Sequence, residues 1–182
     1  PFMSYQASTH EALRNAGRAL KETGVQAVKV EGASSATCRT VEALVQAGIP
    51  VMGHVGLTPQ SVHALGGYRV QGRGEAAAER LKAQARALED AGCFSIVLEL
   101  VPADLAGEVT DALAVPTIGI GAGPECDGQV LVLYDALGLT QGFQPRFLRR
   151  FGELGHETRK ALADYVQEVR EGRYPGPEHS FS

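Results

Sequence analysis

The chain has 182 residues, about the length of one domain, and its 17 basic and 21 acidic side chains give a net charge of −4. This charge excludes the broad positive surface that binds nucleic acid or an anionic membrane, and no apolar run approaches the roughly 20 residues of a membrane span. Three widely spaced cysteines, Cys38, Cys93 and Cys126, are interpreted as small buried residues rather than as a disulfide framework or a metal site. Because a reducing compartment is the default for such a chain, we expect a cytoplasmic location.

Helix and strand patterns alternate along the first half of the chain. A helix is predicted between Ser8, a capping residue, and Gly24, which can close it in a left-handed conformation. An alternating strand at 27–31 follows, and a second helix leads to a strand at 49–55. Residues 56–74 contain five glycines and are predicted to form a long functional loop.

The alternation continues through the second half. Strands are predicted at three places, 95–101, 115–120 and 129–133. Helices are predicted at four places, 75–91, from Pro102 to Ala112, around 147–151, and from Leu162 to near Gly172.

This alternation predicts parallel βα units, which close as a doubly wound sheet or as an eight-stranded barrel. Three of the predicted strands carry polar residues late in their length, on the face opposite to their main apolar residues: Lys29, Glu31, His54 and Glu99. A barrel with its chemistry at the carboxyl ends of the strands gives this pattern, whereas a doubly wound sheet is apolar on both faces. We therefore predict a barrel, of which about six strands are visible.

Glu99 lies within the most apolar predicted strand. A carboxylate in that position needs a compensating partner, because an isolated buried charge is costly. Two interpretations stay open: Glu99 is a general base, or it lies at the wet end of its strand and pairs with an arginine of a neighbouring loop.

Lys29 and Glu31, two residues apart on one face, place an ammonium beside a carboxylate. They are either the solvated charges of an edge strand or a site, in which Glu31 binds a hard cation such as Mg²⁺ and Lys29 an anionic substrate. His54, between Gly53 and Gly56, is open to close approach by backbone or ligand, or is simply a satisfied buried histidine.

Five segments, in matching order and spacing, resemble the ketopantoate hydroxymethyltransferase family: Val28–Gly32, Gly53–Ser61, Val97–Pro102, Ile118–Gly123 and Cys126–Val132. The opening residues 1–5 resemble the third barrel strand of that family, so the resemblance covers essentially the whole chain. It implies a (βα)₈ TIM barrel of the phosphoenolpyruvate mutase-like superfamily, present here without its first two βα units. On this basis residues 1–182 are expected to form a single partial barrel domain, with strands 3 to 8 and the C-terminal helices, in a cytoplasmic homodecamer.

The resemblance also implies a reaction. A hydroxymethyl group passes from 5,10-methylenetetrahydrofolate to the small 2-oxo acid 3-methyl-2-oxobutanoate, giving ketopantoate in the first committed step of pantothenate synthesis, with Mg²⁺ stabilising an enolate. By the matching motifs, Glu99 is the proton acceptor, Lys29 binds substrate and Glu31 is one of the magnesium-associated carboxylates. His54 matches an active-site histidine for which two roles stay open: it binds the substrate, or it supports the groups that contact the substrate.

The sequence departs from the family at its start. In the family, an aspartate directly precedes the residue matching Pro1, and an Asp-Ser pair lies earlier; they contact magnesium and substrate, and neither is in this sequence. We therefore expect a fragment or an incomplete sequence. Two other interpretations stay open: a related barrel that makes or breaks bonds beside a 2-oxo acid with Mg²⁺ but without folate, and a non-catalytic fragment that persists only within a larger assembly.

Overall fold

The computed structural model describes residues 1–142 and 144–181, which form two compact units, one over Pro1–Val130 and one from Leu131 onward. The first unit contains five strands: Val28–Glu31 (β1), Val51–Gly56 (β2), Ser95–Glu99 (β3), Thr117–Ile120 (β4) and Gly128–Gln129 (β5). Its helices are Thr9–Thr23 (α1), Ser35–Gln46 (α2), Glu75–Asp90 (α3) and Ala103–Ala112 (α4). The second unit contains Leu133–Ala136 (α5) and Leu154–Arg170 (α6). None of the described helices is long and apolar enough to cross a membrane.

The five strands form one parallel sheet in which spatial order follows chain order. In the register, Glu31 lies opposite His54 on β1 and β2, and Gly56 lies opposite Glu99 on β2 and β3. Because side chains alternate between faces, Glu31, His54 and Glu99 lie on the same face near the carboxyl ends of three neighbouring strands.

The opposite face of the sheet is apolar and carries the core of the first unit. Its strand residues are Val30, Val51, Val55, Ile96 and Leu98. The helices α1 to α4 cover this face with nine buried side chains: Ala16, Val41, Leu44, Leu81, Ala85, Leu88, Leu105, Ala106 and Val109. The predicted separation of apolar and polar residues onto opposite faces of the strands is therefore confirmed. The polar residues lie on the face that these helices do not cover.

The ends of α1 follow from local side-chain chemistry. Ser8 caps the helix, its hydroxyl oxygen accepting a hydrogen bond of 3.2 Å from the backbone N–H of Glu11. Gly24 closes the helix with a φ of 74°, and its own N–H donates to the carbonyl of Leu20. The predicted helix between Ser8 and Gly24 is confirmed.

Two predicted strands are largely absent from the structure. In place of the strand predicted at 129–133, the structure has a strand only over Gly128–Gln129, and the chain then continues into α5. The neighbouring strand β4 ends at Ile120, because the next residue, Gly121, has a φ of 64° and turns the chain away from the sheet. Residues 1–5 form a turn, in which the Ser4 N–H donates to the Pro1 carbonyl at 3.1 Å. A segment with strand-like side chains forms a strand only where a neighbouring strand offers matching backbone hydrogen bonds. Five strands therefore form where six were predicted.

The second unit corrects one helix and confirms another. Around 147–151 the chain makes a single turn rather than the predicted short helix, with the Leu148 N–H donating to the carbonyl of Pro145. The chain leaves this turn because the next backbone donor, the N–H of Phe151, bonds to the carbonyl of Ala136 instead of to a residue one helical turn earlier. The longer predicted helix exists as α6 and begins earlier, at Leu154. A single partial-barrel domain over residues 1–182 stays a prediction.

Candidate active site

All four predicted site residues lie together in what we call the polar row: Glu31, Lys29, His54 and Glu99. Lys29 Nζ lies 3.5 Å from Glu31 Oε1 and 2.9 Å from His54 Nδ1. His54 Nε2 lies 3.2 Å from Glu99 Oε2. The row crosses the three strands β1, β2 and β3, so the spacing of polar residues in the sequence becomes a continuous line of contacts.

The polar row is largely shielded from water. The side chains of His54, Glu31 and Glu99 are 2%, 7% and 16% exposed, whereas that of Lys29 is 43% exposed. Buried charges persist when they are paired: the Glu31 carboxylate lies next to the ammonium of Lys29, and the group next to the Glu99 carboxylate is the imidazole of His54. Within the described residues, the partner of Glu99 is thus His54 and not the loop arginine that was the alternative interpretation.

The contact between His54 and Glu99 is close without being a hydrogen bond. The 3.2 Å separation meets the distance of an ion pair, yet His54 Nε2 is fully buried and no described acceptor lies in line with it. The Nε2–Oε2 distance would allow a hydrogen bond, but the direction of the contact does not. Because a hydrogen bond weakens steeply away from linearity, we do not count this contact as one. Nε2 remains a buried polar atom beside a carboxylate.

The carboxylate and backbone of Glu31 are held by groups that the sequence did not point to. The backbone N–H of Gln60 donates to Glu31 Oε2 at 2.9 Å. The phenol of Tyr5 accepts from the Glu31 N–H at 3.1 Å and contacts its carbonyl at 3.4 Å. Burial raises the pKa of Tyr5 above its ordinary 10.0, so this phenol stays protonated. A backbone amide has no sequence signature, which is why the Gln60 contact was not predicted.

The backbone around Glu99 is tightly constrained. Its carbonyl accepts from the Leu57 N–H at 2.8 Å, and Leu100, the next residue, has a left-handed φ of 48°. The carbonyl of Leu100 accepts from the Gln71 N–H at 2.8 Å, which helps to hold this unfavourable conformation. The strand predicted over 95–101 therefore ends at Glu99, and the long loop at 56–74 contacts the chain just beyond it.

The described residues do not by themselves form a magnesium site. They contain no group of three or more His, Cys, Asp or Glu side chains placed to hold one ion. Glu31 is an oxygen donor of the type that Mg²⁺ prefers, but one of its oxygens faces Lys29 and the other accepts from Gln60. It can supply one ligand at most, and its predicted role in metal binding stays a prediction.

The sequence profile of the ketopantoate hydroxymethyltransferase family matches residues 1–177. Among curated proteins, 3-methyl-2-oxobutanoate hydroxymethyltransferase of Moorella thermoacetica is 59% identical over 181 residues, covering 100% of this chain and 67% of that protein. The enzyme of the same name from Leptospira interrogans serovar Lai is 53% identical, covering 100% of this chain and 68% of that protein. The chain thus spans about two thirds of the length of these relatives.

A solved structure from Burkholderia cenocepacia J2315, whose description names a phosphonomutase, aligns with a TM-score of 0.53 and 12% identity. The alignment covers 91% of this chain and 68% of that chain and indicates a shared α/β fold only. The assignment to a family rests on the sequence relatives and on the profile. The chain therefore belongs to the ketopantoate hydroxymethyltransferase family, transferases of pantothenate biosynthesis, as its motifs predicted.

Proposed function

We propose that the protein carrying this chain transfers a hydroxymethyl group from 5,10-methylenetetrahydrofolate to 3-methyl-2-oxobutanoate, giving ketopantoate (2-dehydropantoate). The polar row carries the proposal, because it brings a carboxylate, an imidazole and an ammonium into contact near the carboxyl ends of neighbouring parallel strands. Relatives at 51–59% identity are named for the acceptor substrate and the group transferred.

In this proposal the sheet is an arc of a (βα)₈ barrel without its first two βα units. The support is the order of the strands, which follows the chain, and the apolar face, which the helices of the first unit cover. The polar face would then line the barrel interior, and its carboxyl end is where barrel enzymes carry their chemistry. The cytoplasmic homodecamer stays a prediction.

Glu99 is the proposed base. Its carboxylate would take the proton from C3 of the 2-oxo acid, leaving the electron pair as an enolate. The C3 carbon would then form the new carbon–carbon bond to the one-carbon unit, whose two bonds to the folate nitrogens break. Water would supply the hydroxyl group, and the proton taken from C3 and the second proton of water would end on those two nitrogens, giving tetrahydrofolate. Lys29, whose ammonium is the most exposed group of the row, would hold the substrate carboxylate.

Mg²⁺, when bound, would polarise the 2-oxo group and favour the enolate. We propose Glu31 as one of its ligands, the others being the aspartates that the family places before the residue matching Pro1. No step above is derived through the ion, because the described residues do not complete its site.

Proton exchange tests the proposed base directly. The gene product that contains these residues should exchange the C3 proton of 3-methyl-2-oxobutanoate with D₂O when Mg²⁺ is present and folate is absent. Glu99→Gln should lower the exchange rate by about 10²- to 10⁴-fold, because an amide cannot take the proton. Glu157→Gln, an exposed change on α6, is the matched control and should leave the rate unchanged. Equal rates for Glu99→Gln and wild type would show that Glu99 is not the base.

The donor is tested separately. Ketopantoate formation measured by mass spectrometry should require methylenetetrahydrofolate. Product formed without it would favour the related 2-oxo-acid enzyme over the hydroxymethyltransferase.

A further inference from the structure

The tautomer of His54 is fixed by its neighbour. An ammonium only donates hydrogen bonds, so the 2.9 Å contact between Lys29 Nζ and His54 Nδ1 requires an unprotonated Nδ1. The ring proton of a neutral His54 is then on Nε2. A histidine protonated on both nitrogens would place two donors face to face at this distance. The geometry therefore specifies which nitrogen carries the proton.

The resulting N–H is buried beside the proposed base. His54 Nε2 has no aligned hydrogen-bond partner, and the nearest charged oxygen is Glu99 Oε2 at 3.2 Å. A buried donor without an acceptor is unfavourable, which points to a partner acquired in another state of the site. Glu99 Oε2 is already within reach of this N–H, and hydrogen bonds of catalytic groups commonly tighten only when substrate binds.

We infer that His54 is a positioning residue for the base: Lys29 fixes the Nε2–H tautomer, and this N–H holds Oε2 of Glu99 so that Oε1 takes the substrate proton. The kinetic part of this inference rests on the proposed function, whereas the tautomer rests on the contacts alone. Lys29 therefore has two roles, binding the substrate carboxylate and fixing the tautomer of His54. Its ammonium has three protons, and it donates one of them to His54.

Nitrogen-15 NMR of the ligand-free gene product tests the tautomer without reference to activity. The expected result is a protonated Nε2 and an unprotonated Nδ1 for His54 in the wild type. Lys29→Met should raise the fraction of His54 protonated on Nδ1, whereas Lys21→Met, an exposed change on α1, should not. A protonated Nδ1 in the wild type, or an unchanged tautomer in Lys29→Met, would overturn the inference.

Two substitutions of His54 separate its two nitrogens. A glutamine amide reaches the position of Nε2 and can donate to Glu99, whereas an asparagine amide reaches only the position of Nδ1, beside Lys29. In the C3 exchange assay, we expect His54→Asn to lower kcat at least about tenfold with little change in KM, and His54→Gln to recover most of that loss. A general packing role would make the two variants equally slow, and this outcome would contradict the inference.

The two assays keep the inference and the proposed function apart. If the wild type shows no exchange, the proposed function is wrong, and the NMR result still decides the tautomer. If exchange occurs and responds to Glu99→Gln, but glutamine does not outperform asparagine at position 54, the reaction stands and the positioning role of His54 falls.

Discussion

Gly56 determines where the backbone of Glu99 can lie. It has a φ of 89°, and a Cβ at this position would collide with the carbonyl oxygen of Glu99. That carbonyl is also the acceptor of the Leu57 N–H. The glycines around His54 were expected to allow a close approach by backbone or ligand. At Gly56, the group that approaches is the backbone of β3, the strand that carries the proposed base.

Gly56→Ala should therefore affect both stability and activity. We expect a loss of about 2–4 kcal/mol in the free energy of unfolding, because left-handed strain of about 1–2 kcal/mol adds to the displacement of β3. The C3 exchange rate should fall as well. Urea denaturation and the exchange assay measure the two effects.

Gly24→Ala provides the matched control for this substitution. Gly24 has a similar φ of 74°, but a Cβ there would meet no atom within 4 Å. It should cost only the strain of about 1–2 kcal/mol and leave the exchange rate unchanged. Similar losses for the two variants would show that the contact with Glu99 is unimportant.

The chemistry of the polar row was predictable because strand side chains alternate with a period of two. That period, together with the apolar residues of each strand that mark the core side, placed Lys29, Glu31, His54 and Glu99 on one face. It could not predict that Lys29 contacts His54, since this depends on the register of β1 and β2 and on two rotamers. Nor could it predict the Gln60 amide, whose position is set by the path of a loop.

At the scale of elements, the N-terminus of α1 provides a direct test of a local signal. Ser8→Ala should lower the free energy of unfolding by about 1 kcal/mol, because the Glu11 N–H loses its acceptor. Ser8→Asn keeps a capping side chain and should be nearly neutral. Urea denaturation of both variants measures the difference, and equal losses would show that capping is not the cause.

Elements set by local chemistry were predicted well, and elements set by partners were not. Ser8 and Gly24 define α1 through contacts within a few residues. The run at 129–133 has strand-like side chains, but the ladder with β4 stops after the Val130 N–H donates to the Gly119 carbonyl. Whether a partner strand continues is a property of the sheet, which a single segment does not encode.

At the scale of the whole molecule, Cys93 links protonation to unfolding. It belongs to the core cluster and is 3% exposed. Burial, reinforced by the nearby Cys38, raises the pKa of the Cys93 thiol from 9.0 to about 12. Below pH 9 the thiol is neutral in both states, whereas between pH 9 and about 12 only the unfolded chain ionises it. Alkali therefore favours the unfolded state.

The free energy of unfolding should accordingly fall as the pH rises above 9, with this thiol contributing up to about 1.4 kcal/mol per pH unit. Cys93→Ala removes the contribution, so the wild type should lose stability more steeply than the variant between pH 9 and 10.5. Urea denaturation at several pH values gives both slopes. Parallel slopes would mean that Cys93 ionises equally in the folded chain.

The order of the strands has a consequence for how such a site is inherited. All members of the polar row lie between Lys29 and Glu99, on three strands that are consecutive in the chain and adjacent in the sheet. No distant segment has to be threaded between them. The base, its histidine and the lysine can therefore be copied, recombined or grafted as one uninterrupted stretch of sequence, together with the helices that support it.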